Sequence, residues 1–280
     1  MFQVGVTGWH DHTSLYPPRT GAGNKLSIYS KYFSVVEIDA SFYAVQPQKN
    51  YEKWVAQVPA HFSFVIKTQQ AVTGHVKGKN FDQLKEEIHA FRQSIQPVVD
   101  AGKLKAVLIQ FPPQFAYNPK SINYLRFVKR ELEGLPCALE FRNQTWFNYE
   151  NRQATLNFMR KEGWIHVIVD EPQVGTGSCP TVLEATHKAL TLIRFHGRNV
   201  SGWNPVNKEN WRKVRFLYRY SDPELEEIAA AVKHLASQTK EICLIFNNNS
   251  GGDAADNART MMKLLGLSYN EEILSQMALF

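Results

Sequence analysis

Lys105-Ala106-Val107-Leu108-Ile109-Gln110 is a short apolar run that ends on a polar residue and is cut off by Phe111-Pro112-Pro113. A run this short and this continuously apolar predicts a strand buried on both faces, as in a parallel sheet. Seven other segments share the pattern: Gln3–Thr7, Val35–Asp39, Ser63–Lys67, Cys137–Phe141, His166–Asp170, Thr191–His196 and Ile242–Phe246. Helical periodicity lies between them. It runs over Leu26–Phe33, over Phe81–Ile95 with Leu84, Ile88, Phe91 and Ile95 on one face, and over Ile122–Leu132. It continues around Leu156 and Phe158-Met159, from Pro223 to Leu235, and from Ala254 to Leu265. Eight strands alternating with helices predict an α/β fold. The number eight, and the lack of Gly-x-Gly-x-x-Gly after the first strand, select a TIM-type (β/α)8 barrel over an open nucleotide-binding sheet. The expectation is a single domain over 1–280, with an elaborated connection at about 197–241.

The 280 residues are 44% hydrophobic and 21% charged, with a net charge of +6. That composition excludes a disordered or collagen-like chain. No stretch has the roughly 20 apolar residues that a membrane span needs, so no membrane association is expected. Met1-Phe2-Gln3-Val4-Gly5-Val6 reads as a strand rather than a secretory signal. Cys137, Cys179 and Cys243 are odd in number and widely spaced. Both features predict a reduced, cytoplasmic setting.

In such barrels chemistry sits at the C-terminal ends of the strands. Residues two apart share a face, which groups Glu37, Asp39 and Ser41 at the end of strand 2. It also groups Glu140 with Arg142, and Arg194 with His196 and Arg198. Lys67, Gln110, Asp170 and Asn247 close other strands. So many charges at one barrel mouth must pair or meet a ligand. The arginines point to phosphate or carboxylate. Asn249-Ser250-Gly251-Gly252-Asp253 reads as a turn capping the last helix, with weak phosphate-binding character. Trp9, Phe42, Tyr43, Trp146 and Trp203 fall near the mouth and are candidates for stacking on a ring. The acids and His196 are compatible with a divalent cation, but His10-Asp11-His12 lacks the later histidines of a zinc site, and no nucleotide cofactor is expected. Ser41 lacks a Gly-x-Ser-x-Gly elbow, so covalent catalysis is not expected.

With these residues laid out, the chain resembles the YecE-like family of uncharacterised proteins. The resemblance rests on Gly5-Val6-Thr7-Gly8-Trp9, Val36-Glu37-Ile38-Asp39, Ser41-Phe42-Tyr43, Phe62–Lys67 and Gln110–Pro113. It continues through Glu140-Phe141-Arg142, Thr145-Trp146, Arg194–Arg198 and Phe246-Asn247-Asn248. It implies a TIM barrel and no known reaction. Asp39 and His10 depart from the family pattern, where asparagine and serine are common.

The expected function is an enzyme that binds a small anionic substrate at the barrel mouth and performs hydrolase- or lyase-type acid–base chemistry. Glu37 or Glu140 is the expected base, and His196 the acid or orienting group. Arg142, Arg194 and Arg198 are expected to clamp the anion, with Lys67, Gln110, Asn247, Trp9, Tyr43 and Trp146 also contacting substrate. One alternative is nucleic-acid binding or phosphodiester processing through the basic segment 208–219. Another is a non-catalytic small-molecule sensor.

Overall fold

A computed structural model describes residues 1–203 and 214–267. Eight strands form one closed, wholly parallel barrel in sequence order. They are β1 (Phe2–Thr7), β2 (Val35–Ile38), β3 (Ser63–Lys67), β4 (Leu104–Gln110), β5 (Cys137–Glu140), β6 (Ile165–Asp170), β7 (Leu190–Phe195) and β8 (Glu241–Phe246). Every predicted strand is present, with ends within one residue of expectation. Among the described residues the helices include α1 (Lys25–Tyr29), α2 (Ala40–Tyr43), α3 (Gln48–Ala56), α4 (Phe81–Asp100), α5 (Pro119–Glu131), α6 (Arg152–Lys161), α7 (Val200–Trp203), α8 (Asp222–Leu235) and α9 (Ala254–Leu264). Among the described residues no helix is long and apolar enough to cross a membrane.

Helix α3 is absent from the sequence expectation and α1 ends at Tyr29 rather than Phe33; α4 and β2 differ from expectation for identifiable reasons. Helix α4 was expected to stop near Ile95, yet it runs through Pro97 to Asp100. Pro97 cannot donate to the carbonyl of Gln93. The side-chain amide of Gln48 in α3 donates to that oxygen instead, at 2.6 Å, so the helix continues without an orphaned acceptor. Strand β2 stops at Ile38, and Ala40–Tyr43 forms a helical turn. Ser41 therefore does not extend the Glu37 face. Its hydroxyl donates to the Lys67 carbonyl at 2.6 Å, joining the ends of β2 and β3.

Gly5 sits where β1 meets β2, paired with Val35. A Cβ there would lie 2.0 Å from the Val35 carbonyl oxygen, a backbone atom that cannot swing aside. Gly5→Ala is expected to destabilise the barrel by about 1–3 kcal/mol, the usual cost of overpacking. Urea denaturation measures this, and a midpoint indistinguishable from wild type would show that the strands move apart freely.

Candidate active site at the barrel mouth

The strand register decides which polar residues face inward. Thr7 pairs with Glu37, Glu37 with Val65, and Gln110 with Glu140; Lys67 pairs with Leu108, and Val169 and Ile245 flank Arg194. Paired residues share a face, so β2, β3, β4, β5 and β7 project Glu37, Lys67, Gln110, Glu140 and Arg194 into one space. Two residues further along their strands, Arg142, Glu171, His196 and Asn247 continue the same faces.

These side chains form a connected network. Arg194 donates from Nε and Nη2 to the two oxygens of Glu37, at 2.8 and 2.6 Å, and from Nη1 to Glu140 Oε2 at 2.6 Å. Arg142 donates from Nε to Glu140 Oε1 and from Nη1 to Glu171 Oε2, both at 2.5 Å. Arg142 Nη2 lies 2.7 Å from His196 Nε2. The Cys179 backbone N–H donates to Glu171 Oε1 at 2.7 Å. Glu37 and Glu140 are wholly buried. Charges so enclosed are tolerable only because each carboxylate oxygen meets a donor.

Burial alone would raise the pKa of Glu140, but Arg142 and Arg194 outweigh it and hold the carboxyl well below its usual range. Burial pushes Glu37 upward and Arg194 pulls it back. Both oxygens of Glu37 accept from a guanidinium that keeps its proton, so the ionised pair is the state that fits the geometry. Burial raises Glu171 to about 7 against the pull of Arg142. His196 is driven well below its ordinary value, first by burial and then by Arg142.

Above this network opens a cavity of about 650 Å³. Lys67, Gln110, Arg142, Arg194, Arg215 and Asn247 line it, with Phe42, Tyr43, His75 and Phe216 among the surrounding rings. Among the described residues Asp39 is the one acid in this lining, and it pairs with Lys67 at 2.9 Å. The other carboxylates lie beneath the floor. Among the described residues no group of three or more His, Cys, Asp or Glu side chains is arranged to hold a metal ion.

Of the residues singled out from the sequence, Lys67, Gln110, Arg142, Arg194, Asn247 and Tyr43 line the cavity, while Glu37, Glu140 and His196 support it from below. Arg198 is elsewhere. Gly197 adopts φ +80°, which breaks the alternation, and Arg198 pairs with Asp170 at 2.7 Å and Glu224 at 3.2 Å on the helix side of the sheet. Trp146 is fully buried, stacks on Phe141 and donates to the Phe115 carbonyl at 2.7 Å, which is core packing. Trp9 is also buried and packs edge-on to Trp54. Asp253 of the glycine turn accepts from Arg219 at 2.7 Å and makes no side-chain cap to α9. In the basic segment Lys208, Arg212 and Lys213 lie outside the described residues. Arg215 stacks over Trp203, 4.0 Å from the ring centroid.

Glu171 and His75 escaped the sequence reading. Counting by twos from Val167 and Val169 would have turned Glu171 inward, but only the pairing of Val169 with Arg194 shows which face is inner. His75 arrives from the loop after β3, which no strand periodicity reaches. Its Nδ1 lies 2.8 Å from the Thr73 hydroxyl, and its ring meets Phe42 edge-on.

The chain matches the family described as protein of unknown function DUF72 over residues 3–278. It is 49% identical to the UPF0759 protein YunF of Bacillus subtilis (strain 168) across the full length of both chains. A DUF72 family protein of Enterococcus faecalis V583 is 35% identical and superposes with a TM-score of 0.89, covering 96% of this chain and 97% of that one. One from Thermotoga maritima MSB8 is 29% identical, with a TM-score of 0.81 and coverage of 95% and 99%. With its TIM barrel and full-length match, the chain belongs to the DUF72 family, the same family as the YecE-like proteins its motifs resemble.

Proposed function

We propose that the barrel mouth binds a small phosphate- or carboxylate-bearing substrate and that the protein is an enzyme of acid–base, hydrolase or lyase type. One observation carries this reading: the described lining of the cavity presents Lys67, Arg142, Arg194, Arg215, Gln110 and Asn247, its acid Asp39 is paired with Lys67, and Glu37, Glu140 and Glu171 are sealed under the floor. A guanidinium has five donors. Among the described residues Arg194 spends three on Glu37 and Glu140, Arg142 spends two on Glu140 and Glu171, and both side chains line the cavity. Glu37 and Glu140 then hold the two arginines charged and aimed rather than accept protons.

Proton transfer falls to groups that face the cavity. Partial burial of the ring, followed by the Lys67 and Arg142 charges, lowers His75 to about 4, so it is a neutral base at physiological pH. The Lys67–Asp39 pair stands beside it.

Calorimetric titration with inorganic phosphate, glycerol phosphate and citrate tests the reading. Lys67→Met is expected to weaken the best of these anions by about 10- to 100-fold, the value of a charge-assisted hydrogen bond. Wild-type protein that binds none of them, or Lys67→Met binding equally well, would sink the proposal.

A further inference from the structure

The cavity changes character with depth. Its cationic floor is enclosed: Arg194 is 2% exposed, Arg142 4% and Lys67 8%. Lys67 and Gln110 are the last residues of β3 and β4, and Arg194 lies within β7, so the floor is built on the strands themselves. The rings stand further out, in the connections that follow the strands. Phe42 and Tyr43 belong to α2, after β2, and Phe216 to the connection after β7. Phe42 and Phe216 are half-buried, and Tyr43 is 59% exposed. Pro112 and Pro113 add apolar surface after β4.

Topology spreads these groups around the mouth. The barrel closes in sequence order, so the shorter way from β2 to β7 passes through β1 and β8. The Phe42–Tyr43 corner and Phe216 therefore rise on separate sides. Both are braced. Phe42 meets Tyr43 and His75 edge-on, with ring centroids 5.2 and 4.9 Å apart, and carries the Lys67 ammonium 4.2 Å from its centroid. Phe216 meets Trp203 edge-on at 6.3 Å. The cavity, at about 650 Å³, lies in the range of about 300–1,000 Å³ that encloses a drug-sized molecule. A ligand that reached only the floor would leave the rings above it in water, whereas one that covered them would gain their apolar contact. Aromatic walls favour a ring as that partner, because the negative face of one ring attracts the positive edge of another.

We infer that the substrate is an aryl anion: its phosphate or carboxylate lies on the Lys67–Arg142–Arg194 floor, and a planar aromatic ring attached to it stands above, among Phe42, Tyr43 and Phe216. The inference rests on the anion-binding reading and names the other half of the ligand.

Calorimetric titration with methyl, phenyl, hexyl and glycerol phosphate tests it. All four carry the same phosphate monoester, so differences among them report the attached group. Phenyl phosphate should bind wild type at least about tenfold more tightly than methyl phosphate, and more tightly than hexyl or glycerol phosphate. Tyr43 is exposed, so Tyr43→Ala tests the wall without emptying the core, and Phe216→Leu keeps an apolar side chain beside Trp203. Each should narrow the gap between phenyl and methyl phosphate by about three- to fivefold. Lys67→Met should weaken methyl and phenyl phosphate alike. Methyl and phenyl phosphate bound equally well by the wild type would overturn the ring inference and leave the anion site standing. Hexyl or glycerol phosphate matching phenyl phosphate would do the same, as would a gap that survives undiminished in both wall variants. A wild type that binds none of the four removes the anion site and this inference together.

Discussion

Arg194→Met is expected to lower the free energy of unfolding by about 3–5 kcal/mol, the cost of breaking a buried ion pair from one side. For a chain of this size the melting temperature should fall by roughly 10 °C. The guanidinium supplies three donors to Glu37 and Glu140, and neither carboxylate can reach water. Methionine fills most of the volume, so the loss reports stranded charge rather than a cavity. Adding Glu37→Gln to Arg194→Met should recover part of the loss, because the amide needs no counter-charge. Denaturant unfolding without ligand measures both variants, and a loss under 1 kcal/mol for Arg194→Met would show that the acids are already neutral or reach solvent. Loss of ligand binding in an Arg194 variant would therefore confuse contact with scaffold. Lys67, beside Asp39 at the cavity wall, is the cleaner probe of anion recognition.

The barrel was legible because each strand is a short apolar run and only eight occur. Much of the site was legible for a related reason: ionisable residues at the ends of apolar strands have few places to go except the mouth. What a linear pattern cannot supply is pairing. Arg142 and Arg194 looked like free anion clamps, whereas the fold joins each of them to two buried glutamates. Arg198 looked equivalent to Arg194 until a positive-φ glycine turned the chain. Asp170 ends its apolar run in the sequence, and only the register with β7 shows that Glu171 is the residue that faces in. Trp146 follows β5 closely enough to suggest a ring-stacking residue at the mouth, yet stacking on Phe141 and Phe115 carries it into the core.

Glu171→Gln is expected to change how stability depends on pH more than it changes stability at any single pH. Burial raises the folded carboxyl to about 7, against an ordinary 4.5. Between those values the folded chain binds a proton that the unfolded chain does not. The contribution of Glu171 is thus complete below about pH 4.5 and is lost as pH rises through 7. Over that window the wild type should lose up to about 3 kcal/mol relative to the glutamine variant, at roughly 1.4 kcal/mol per pH unit. Glu140, Glu184 and Glu224 are held low in the fold and slope the other way. The neutral His166 and His196 also favour the higher pH. These contributions cancel in the difference between the two proteins, which is why the difference is the quantity to measure, by urea denaturation at pH 5, 6, 7 and 8. A difference that stays flat would show that Glu171 remains ionised throughout, held by Arg142 and the Cys179 N–H. If the slope is present, it carries a functional consequence. With Glu171 protonated, Glu37 and Glu140 balance Arg142 and Arg194 and the network under the cavity is neutral; with Glu171 ionised it gains one negative charge, and an anion in the mouth should bind more weakly above pH 7 in the wild type but not in Glu171→Gln.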